Sequence, residues 1–288
     1  IIITGATASG KSEIALKHAE RHGGVVINAD SMQLYREAPI LTAQPSGQER
    51  ALVPHRLYGV LKADTPCSVA QWIDMVRTEI RSAWTRGAIP MVVGGTGMYL
   101  RALMRGLSAI PDIPPEIRTE IRSLTTADLR VALCHEDPVM AAQLNPHDSQ
   151  RMARALEVIR ATGQSLGAWC NTPPSLPMPE AIFHLCITEL DRANLYARIN
   201  GRVDDMLQNG ALAEAEALHT LMLSRTLPLM RAVGVSELMA YIDGTMSWDD
   251  TIIAMKANSR HYAKRQMTWM RQQFKEGLKI KDGALYIH

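Results

Sequence analysis

The stretch Gly5-Ala6-Thr7-Ala8-Ser9-Gly10-Lys11-Ser12 constrains this chain more than any other. It follows the apolar run Ile1-Ile2-Ile3-Thr4 and opens a helix-like segment from Ser12 to Arg21. The pattern G-x-x-x-x-G-K-[ST] between a strand and a helix is a phosphate cradle. Glycine tolerates positive φ and has no side chain, so the loop can wrap closely around an anion. The loop amides and the positive end of the next helix then point at phosphate. Lys11 supplies a full charge, and the Ser12 hydroxyl is placed to ligate Mg²⁺. The chain is therefore expected to bind a diphosphate or triphosphate through Gly5, Ala6, Thr7, Ala8, Ser9, Gly10, Lys11 and Ser12.

Periodicity organises the rest. Val25–Asn28 and Ile89–Val93 read as short buried strands, each followed by a turn containing Gly or Asp. Ser68 caps a helix over 69–86, with apolar Val69, Trp72, Ile73, Val76, Ile80 and Ala83 and a stop at Gly87. Strands alternating with helices predict an α/β fold, a P-loop NTPase-like parallel sheet flanked by helices. From 115 to 180 the pattern becomes helical, between Pro111, Pro114, Pro115 and Pro173, Pro174, Pro177, Pro179. That predicts an all-helical insertion subdomain, with residues 1–114 and 181–288 forming the core. Ala181–Ile187 reads as a returning strand. Helices are expected over 194–209, 211–223 and 248–274, the last capped by Ser247 with Asp249 and Asp250 in its first turn.

No apolar run approaches the roughly 20 residues that span a bilayer, so no membrane partner is expected. The chain opens inside an apparent strand, so upstream residues are expected, and nothing visible reads as a targeting segment. Cys67, Cys134, Cys170 and Cys186 lie far apart with no C-x-x-C pair, which indicates neither a zinc site nor a disulfide framework and suits a cytoplasmic protein. Net charge is only +2. The region 251–282 is richer in cations, with Lys256, Arg260 and Lys264 at i, i+4 spacing. It reads either as a solvated helix face or as a rail for a polyanion such as RNA.

Four further segments carry chemistry. Asn28-Ala29-Asp30-Ser31-Met32-Gln33 ends the second strand, where open α/β sheets bind ligands. Asp30 has three readings there: a second-shell Mg²⁺ ligand, a general base or a loop cap. Gln33 can meet a base edge as donor and acceptor. Gly94-Gly95-Thr96-Gly97 ends the third strand. Thr96 either orients a substrate or caps the next helix. Asp148 caps a helix that places Gln150 and Arg154 on one face beside Arg151. This is either an amphipathic helix or a local RNA contact. Arg198, Arg202 and Arg231 suit bidentate phosphate contact, and pairing with Asp204 or Asp205 explains the first two equally well.

With these segments in hand, the chain resembles the tRNA dimethylallyltransferase family, the isopentenyl-tRNA transferases. The matching motifs are the Gly5–Ser12 loop, Ala29–Arg36, Val93–Arg101, Asp148–Glu157, Arg198–Leu207 and Tyr262-Ala263-Lys264-Arg265-Gln266. They run in family order over nearly the whole chain. The resemblance implies transfer of a dimethylallyl group from dimethylallyl diphosphate to N6 of the adenosine 3′-adjacent to the anticodon, position 37, in tRNAs reading codons that begin with U. It implies Asp30 as general base, Thr96 as the group orienting the amine, and Lys11, Arg202 and Ser12 with Mg²⁺ on the leaving diphosphate. It places tRNA contacts on Asp30, Ser31, Met32, Gln33, Thr96, Arg118, Gln150, Arg151, Met152, Ala153, Arg154, Arg231, Ala232, Val233, Gly234, Val235 and Ser236. The expected partners are the tRNA anticodon stem-loop and dimethylallyl diphosphate, and the expected state is a monomer.

The chain departs from the family at Gln44, where a Lys is commoner, and at Val235-Ser236, where a Tyr and a basic or polar residue are common. No counterpart of the eukaryotic members' zinc finger is seen, so the bacterial type fits better. The rivals are a P-loop kinase of a small metabolite or nucleotide, with Asp30 activating a hydroxyl, and a nucleotide-gated RNA-binding switch with no prenyl chemistry.

Overall fold

The computed structural model describes residues 1–275 and 278–280. It divides into two compact units, Ile1–Met104 with the described residues from Met178 onward, and Arg105–Pro177. In chain order the first unit opens with β1 (Ile2–Gly5), α1 (Lys11–His22), β2 (Gly24–Asn28), α2 (Gly47–Leu52), β3 (His55–Arg56), α3 (Val69–Thr85), β4 (Ile89–Gly94) and α4 (Gly97–Arg105). The second unit holds α5 (Pro115–Ser123), α6 (Thr126–Glu136), α7 (Pro138–Gln143), α8 (Ser149–Thr162) and α9 (Leu166–Asn171). The chain then returns to the first unit with β5 (Leu185–Thr188), α10 (Arg192–Gln208), α11 (Ala211–Thr220), α12 (Val235–Ile242), α13 (Trp248–Gln273) and β6 (Leu278–Ile280).

The strands form one parallel sheet in the order β3-β2-β4-β1-β5-β6. Its central strands read as continuous apolar runs because helices cover both faces. Ile2 and Ile3 are fully buried, as are Ile27 and Met91. The α3 helix starts as expected, with Ser68 in a capping box with Gln71. Its Trp72 is fully buried, donates from Nε1 to the Asn28 carbonyl at 3.1 Å, and stacks on Tyr99 at 4.4 Å between ring centroids. One indole thus pins the end of β2 to the start of α4. The segment expected as a strand from Ala181 begins pairing only at Leu185. Ile182 is 86% exposed, so this apolar run has no face to bury.

The helical unit has its own core of Ile121, Leu129, Leu133, Ala141, Met152, Ala155 and Leu156. Glu157 is buried among them and accepts from Arg122 at 3.1 Å and Arg154 at 3.4 Å. The unit starts earlier than the proline-rich flank at 115 suggested and closes at Pro177, short of 180. Leu107 forms an antiparallel bridge with Ser175, which draws the residues ahead of Pro111 into the unit.

Replacing Trp72 by Ala is expected to lower the unfolding free energy by about 3–5 kcal/mol, and by Phe by about 1–3 kcal/mol through the orphaned Asn28 carbonyl. Ile182→Ser is expected to stay within about 0.5 kcal/mol of the parent. Urea denaturation of the three variants checks both statements.

Candidate active site

The sheet order brings three loops to one edge. β4 lies between β1 and β2, so the Gly5–Ser12 loop, the Ala29–Gln33 loop and the Gly95–Gly97 turn leave neighbouring carboxyl ends. β1 also pairs with β5 on its other side, so the chain reverses its direction of sheet building there. Such a switch point is where open α/β sheets form a ligand crevice.

The first loop is shaped for an anion. Gly10 has φ 88° immediately before α1, and a Cβ there would lie 3.3 Å from Arg198 Nη1. Only glycine suits both constraints. The Ser9 and Thr188 hydroxyls meet at 2.5 Å and tie the loop to β5. Lys11 Nζ donates across the loop to the Ala6 carbonyl at 3.3 Å. Burial, followed by the Arg202 charge, pulls Lys11 down to about 8 against the opposing pull of Asp30. Arg202 donates to Thr7 Oγ1 at 3.2 Å. Burial and then the Arg198 charge lower its pKa too. Two crowded, desolvated cations at one loop are stabilised by bringing in a multivalent anion. Among the three candidate arginines, Arg198 and Arg202 on α10 reach this loop, whereas Arg231 is exposed at the end of a short 3-10 turn, Leu229–Arg231.

Asp30 sits beside these cations. Its N–H donates to Asn28 Oδ1 at 2.8 Å, and its Oδ1 accepts from the Met32 N–H at 3.0 Å. Asn28 is fully buried and donates to the Asp30 and Leu57 carbonyls, which fixes the turn. Burial raises the Asp30 pKa, while Lys11, the Met32 and Gln33 amides and Arg202 pull it back. A carboxylate made more basic yet still held by cations has the properties of a general base. Thr96 Oγ1 accepts from the Ser31 N–H at 3.0 Å and lies 3.3 Å from Ser31 Oγ. The carbonyl of Thr96 accepts the first bonds of α4. Its hydroxyl therefore joins the second and third loops.

Gln33 differs from expectation. Its Nε2 donates to the Thr42 and Ala43 carbonyls at 2.9 and 2.8 Å, so its amide protons shape the loop. Gln44 is also structural, donating to the Tyr35 carbonyl at 2.7 Å and accepting from Arg50 at 3.1 Å. The same loop is clamped by Glu214, whose carboxylate accepts from the Ile40 and Leu41 N–H groups at 2.8 Å each.

Ser12 is exposed in the first turn of α1. No group of three His, Cys, Asp or Glu able to hold a metal occurs among the described residues. This donor set fits Mg²⁺ only as the ion binds phosphates, through one or two protein oxygens with the rest from substrate and water.

The residues expected to meet RNA separate by burial. Arg118, Gln150 and Arg151 are exposed in the helical unit, and Arg151 pairs with Asp148 at 3.3 Å. Met152 is fully buried in that unit's core and Ala153 packs against it, so the Met152 side chain is unavailable to RNA. In the other unit Arg231 and Ser236 are exposed and Val233 is half-buried. The side chains of Ala232 and Val235 belong to the core under α12, which leaves only their backbone groups for RNA. Gly234 donates its N–H to Glu237 at 2.8 Å, and Met32 packs against the same core.

The basic stretch is rearranged as well. Lys256 pairs with Asp204 at 2.6 Å, and Arg260 donates to Asn200 at 2.7 Å, so this face of α13 meets α10 instead of forming a rail. His261, Lys264, Arg265, Thr268, Trp269 and Gln272 instead line a shallow basic groove. Glu276, Lys281 and Asp282 lie outside the described residues, as does the side chain of Lys279. Sequence reasoning assigned no role to Tyr262 or Gln266. Gln266 is buried and bonds both the first and third loops. Burial and the Asp30 charge raise the Tyr262 pKa. The available signal was a polar residue in the buried stripe Met255, Ala263, Gln266, Met270.

The low Lys11 pKa fixes the sign of a pH effect. In the free protein Lys11 is charged below about 8 and loses its proton above it, while a bound anion favours the charged form. Affinity for a diphosphate monoester is expected to fall about tenfold between pH 7.5 and 9.5. In Lys11→Met, binding is expected to be weaker and flat across the same range, with calorimetry as the measurement.

The IPP transferase family model matches residues 33–273. The tRNA dimethylallyltransferase of Parvibaculum lavamentivorans is 46% identical over 276 residues, covering 95% of this chain and 88% of the relative. That of Granulibacter bethesdensis is 47% identical over 277 residues, covering 95% and 86%. Among solved structures, the full-length tRNA isopentenylpyrophosphate transferase of Bacillus halodurans matches with TM-score 0.70 and 33% identity, covering 97% of this chain and 88% of that one. A eukaryotic dimethylallyltransferase acting on tRNA matches with TM-score 0.81 and 26% identity, covering 98% and 73%. A phosphate loop, a basic carboxylate and a threonine converging at one switch point agree with these likenesses, and the chain belongs to the IPP transferase family of tRNA dimethylallyltransferases.

Proposed function

We propose that this chain transfers the dimethylallyl group of dimethylallyl diphosphate to N6 of the adenosine 3′-adjacent to the anticodon, in tRNAs reading codons that begin with U. The observation that carries this reading is Asp30. A carboxylate beside a phosphate loop is raised by burial and held within reach of Lys11 and Arg202. That places a base next to the leaving group, where a kinase and a prenyltransferase alike need one. Family membership selects the prenyl donor. The chain acts as a monomer, and the reaction takes place in the cytoplasm, where tRNA is found.

The diphosphate lies in the Gly5–Ser12 loop with Lys11, Arg198 and Arg202 around its oxygens. The adenine N6 lone pair attacks C1 of the prenyl group as the C1–O bond breaks, and the electron pair leaves with diphosphate. Asp30 accepts the N6 proton. Such a base typically contributes about 10²–10⁴-fold. Thr96 orients the amine through its hydroxyl. The ring cations stabilise charge growing on the leaving oxygen. Ser12 would hold Mg²⁺ with the diphosphate oxygens, and the ion, when bound, neutralises that charge further. A stacked adenine cannot reach the recessed Asp30, so the target nucleotide flips out of its loop. Exposed Arg118, Gln150 and Arg151 on the helical unit offer polar contacts to RNA. In the other unit Arg231 and the α13 groove offer cationic groups of their own.

Incubation with Mg²⁺, labelled dimethylallyl diphosphate and an anticodon stem-loop is expected to label the adenosine. ATP hydrolysis without label transfer would point to a kinase and refute the proposal. Asp30→Asn is expected to keep stem-loop affinity within about tenfold and lose about 10² or more in rate. A collapse of affinity with turnover per bound RNA preserved would make Asp30 a contact instead of the base.

A further inference from the structure

One buried side chain touches both the donor loop and the acceptor loop. Gln266 Oε1 accepts from the Thr7 N–H at 2.8 Å, and its Nε2 donates to the Gly95 carbonyl at 3.0 Å. It is 7% exposed. The helix carrying it is locked over the strand ends. Met270, one turn further on, meets Thr4 Oγ1 through its sulfur at 3.9 Å. A Cβ at Gly97 would lie 2.2 Å from the Trp269 ring, and one at Gly95 would lie 2.2 Å from Gln266 Nε2. The turn is therefore stripped of side chains so that α13 can press its amide against the backbone.

The two contacts complete a continuous polar path. Arg202 donates to the Thr7 hydroxyl, Thr7 donates its N–H to Gln266, and Gln266 donates to Gly95. The next residue, Thr96, accepts from Ser31, whose neighbour is Asp30. The path runs from the cation on the leaving group to the base. We propose that Gln266 is a positioning residue that holds the phosphate loop and the Gly95–Thr96 turn in one register, so that the donor carbon and the acceptor amine meet. The proposal rests on the transfer reading above.

The amide chemistry explains the choice of side chain. The site needs an acceptor and a donor side by side, facing an N–H and a carbonyl of two different loops. Met, of similar length, makes neither bond. Glu keeps the acceptor but sets a carboxylate against the Gly95 carbonyl. Either change leaves each loop with its own ligand groups while releasing one from the other. A misplacement of about 1 Å between reacting groups can cost about 10²-fold in rate. A purely structural role predicts something different: weaker binding and lower stability, with folded molecules turning over normally.

The test uses Gln266→Met and Gln266→Glu in the full chain. Calorimetry with inorganic diphosphate shows that each variant is folded and its loop intact. The single-turnover rate is then read at saturating dimethylallyl diphosphate and stem-loop. For Gln266→Met, the rate is expected to fall about 10²-fold, with affinities for inorganic diphosphate and stem-loop each within about threefold of the parent. Gln266→Glu is expected to lose at least about tenfold in the same rate. A saturated rate within threefold of the parent in either variant overturns the proposal. Loss of diphosphate binding in both variants assigns Gln266 to the scaffold and also overturns it. A parent chain that labels no RNA overturns the transfer reading and this proposal with it.

Discussion

The site depends on unbalanced charge held out of water. Lys11, Arg198 and Arg202 crowd one loop, and Asp30 stands close enough to pull the Lys11 pKa upward while its own is pulled downward. Like charges so placed repel each other, Lys11 and Arg202 are also desolvated while Arg198 is exposed, and the fold tolerates this because the loop is anchored from several sides. Ser9 is bonded to Thr188, Thr7 to Arg202 and Gln266, and Lys11 to Ala6. A diphosphate relieves the repulsion. In the transfer proposed above it would leave with more charge than it brought in, so the same cations would stabilise the transition state more than the ground state, which is the requirement for catalysis.

The acceptor side is built differently. Around Asp30 and Thr96 the stabilising groups are neutral: Asn28, the Met32 amide, Ser31 and the Trp72 indole. Neutral hydrogen bonds hold Asp30 in place without spending its basicity on a salt bridge. Burial can then raise its pKa while the nearby cations keep it from staying protonated. The loop behind it is braced by Gln33, Gln44 and Glu214 through bonds to its backbone. Rigid backbone on one side and concentrated charge on the other suit a reaction between a neutral amine and an anionic donor.

Much of this was legible from residues 1–114. The phosphate loop, the two turns after β2 and β4 and the α3 cap each have a local cause, because turn glycines, caps and apolar periods act within a few residues. What local signals did not give were the features needing a distant partner. Met152 and Val235 stand in segments where the resemblance implies RNA contacts, yet their side chains fill cores formed by residues far along the chain. The i, i+4 cations Lys256 and Arg260 are correctly spaced, but spacing does not say that α10 lies opposite with Asp204 and Asn200. Ile182 had the right composition for a strand and no surface to bury against.

The sequence by itself determined the chemistry. A loop of that pattern between a strand and a helix is a phosphate cradle, and the ordered motifs from Gly5 to Trp269 point to one family of reactions. Tertiary structure decided which groups meet. It selected Arg198 and Arg202 over Arg231, turned Gln33 and Gln44 inward, and brought Gln266 to the loops of Thr7 and Gly95 across an interval of about 170 to 260 residues. The physical reason is that local signals fix backbone conformation within a turn or two, whereas charge pairing and side-chain register depend on strand order, which is set by packing over the whole sheet.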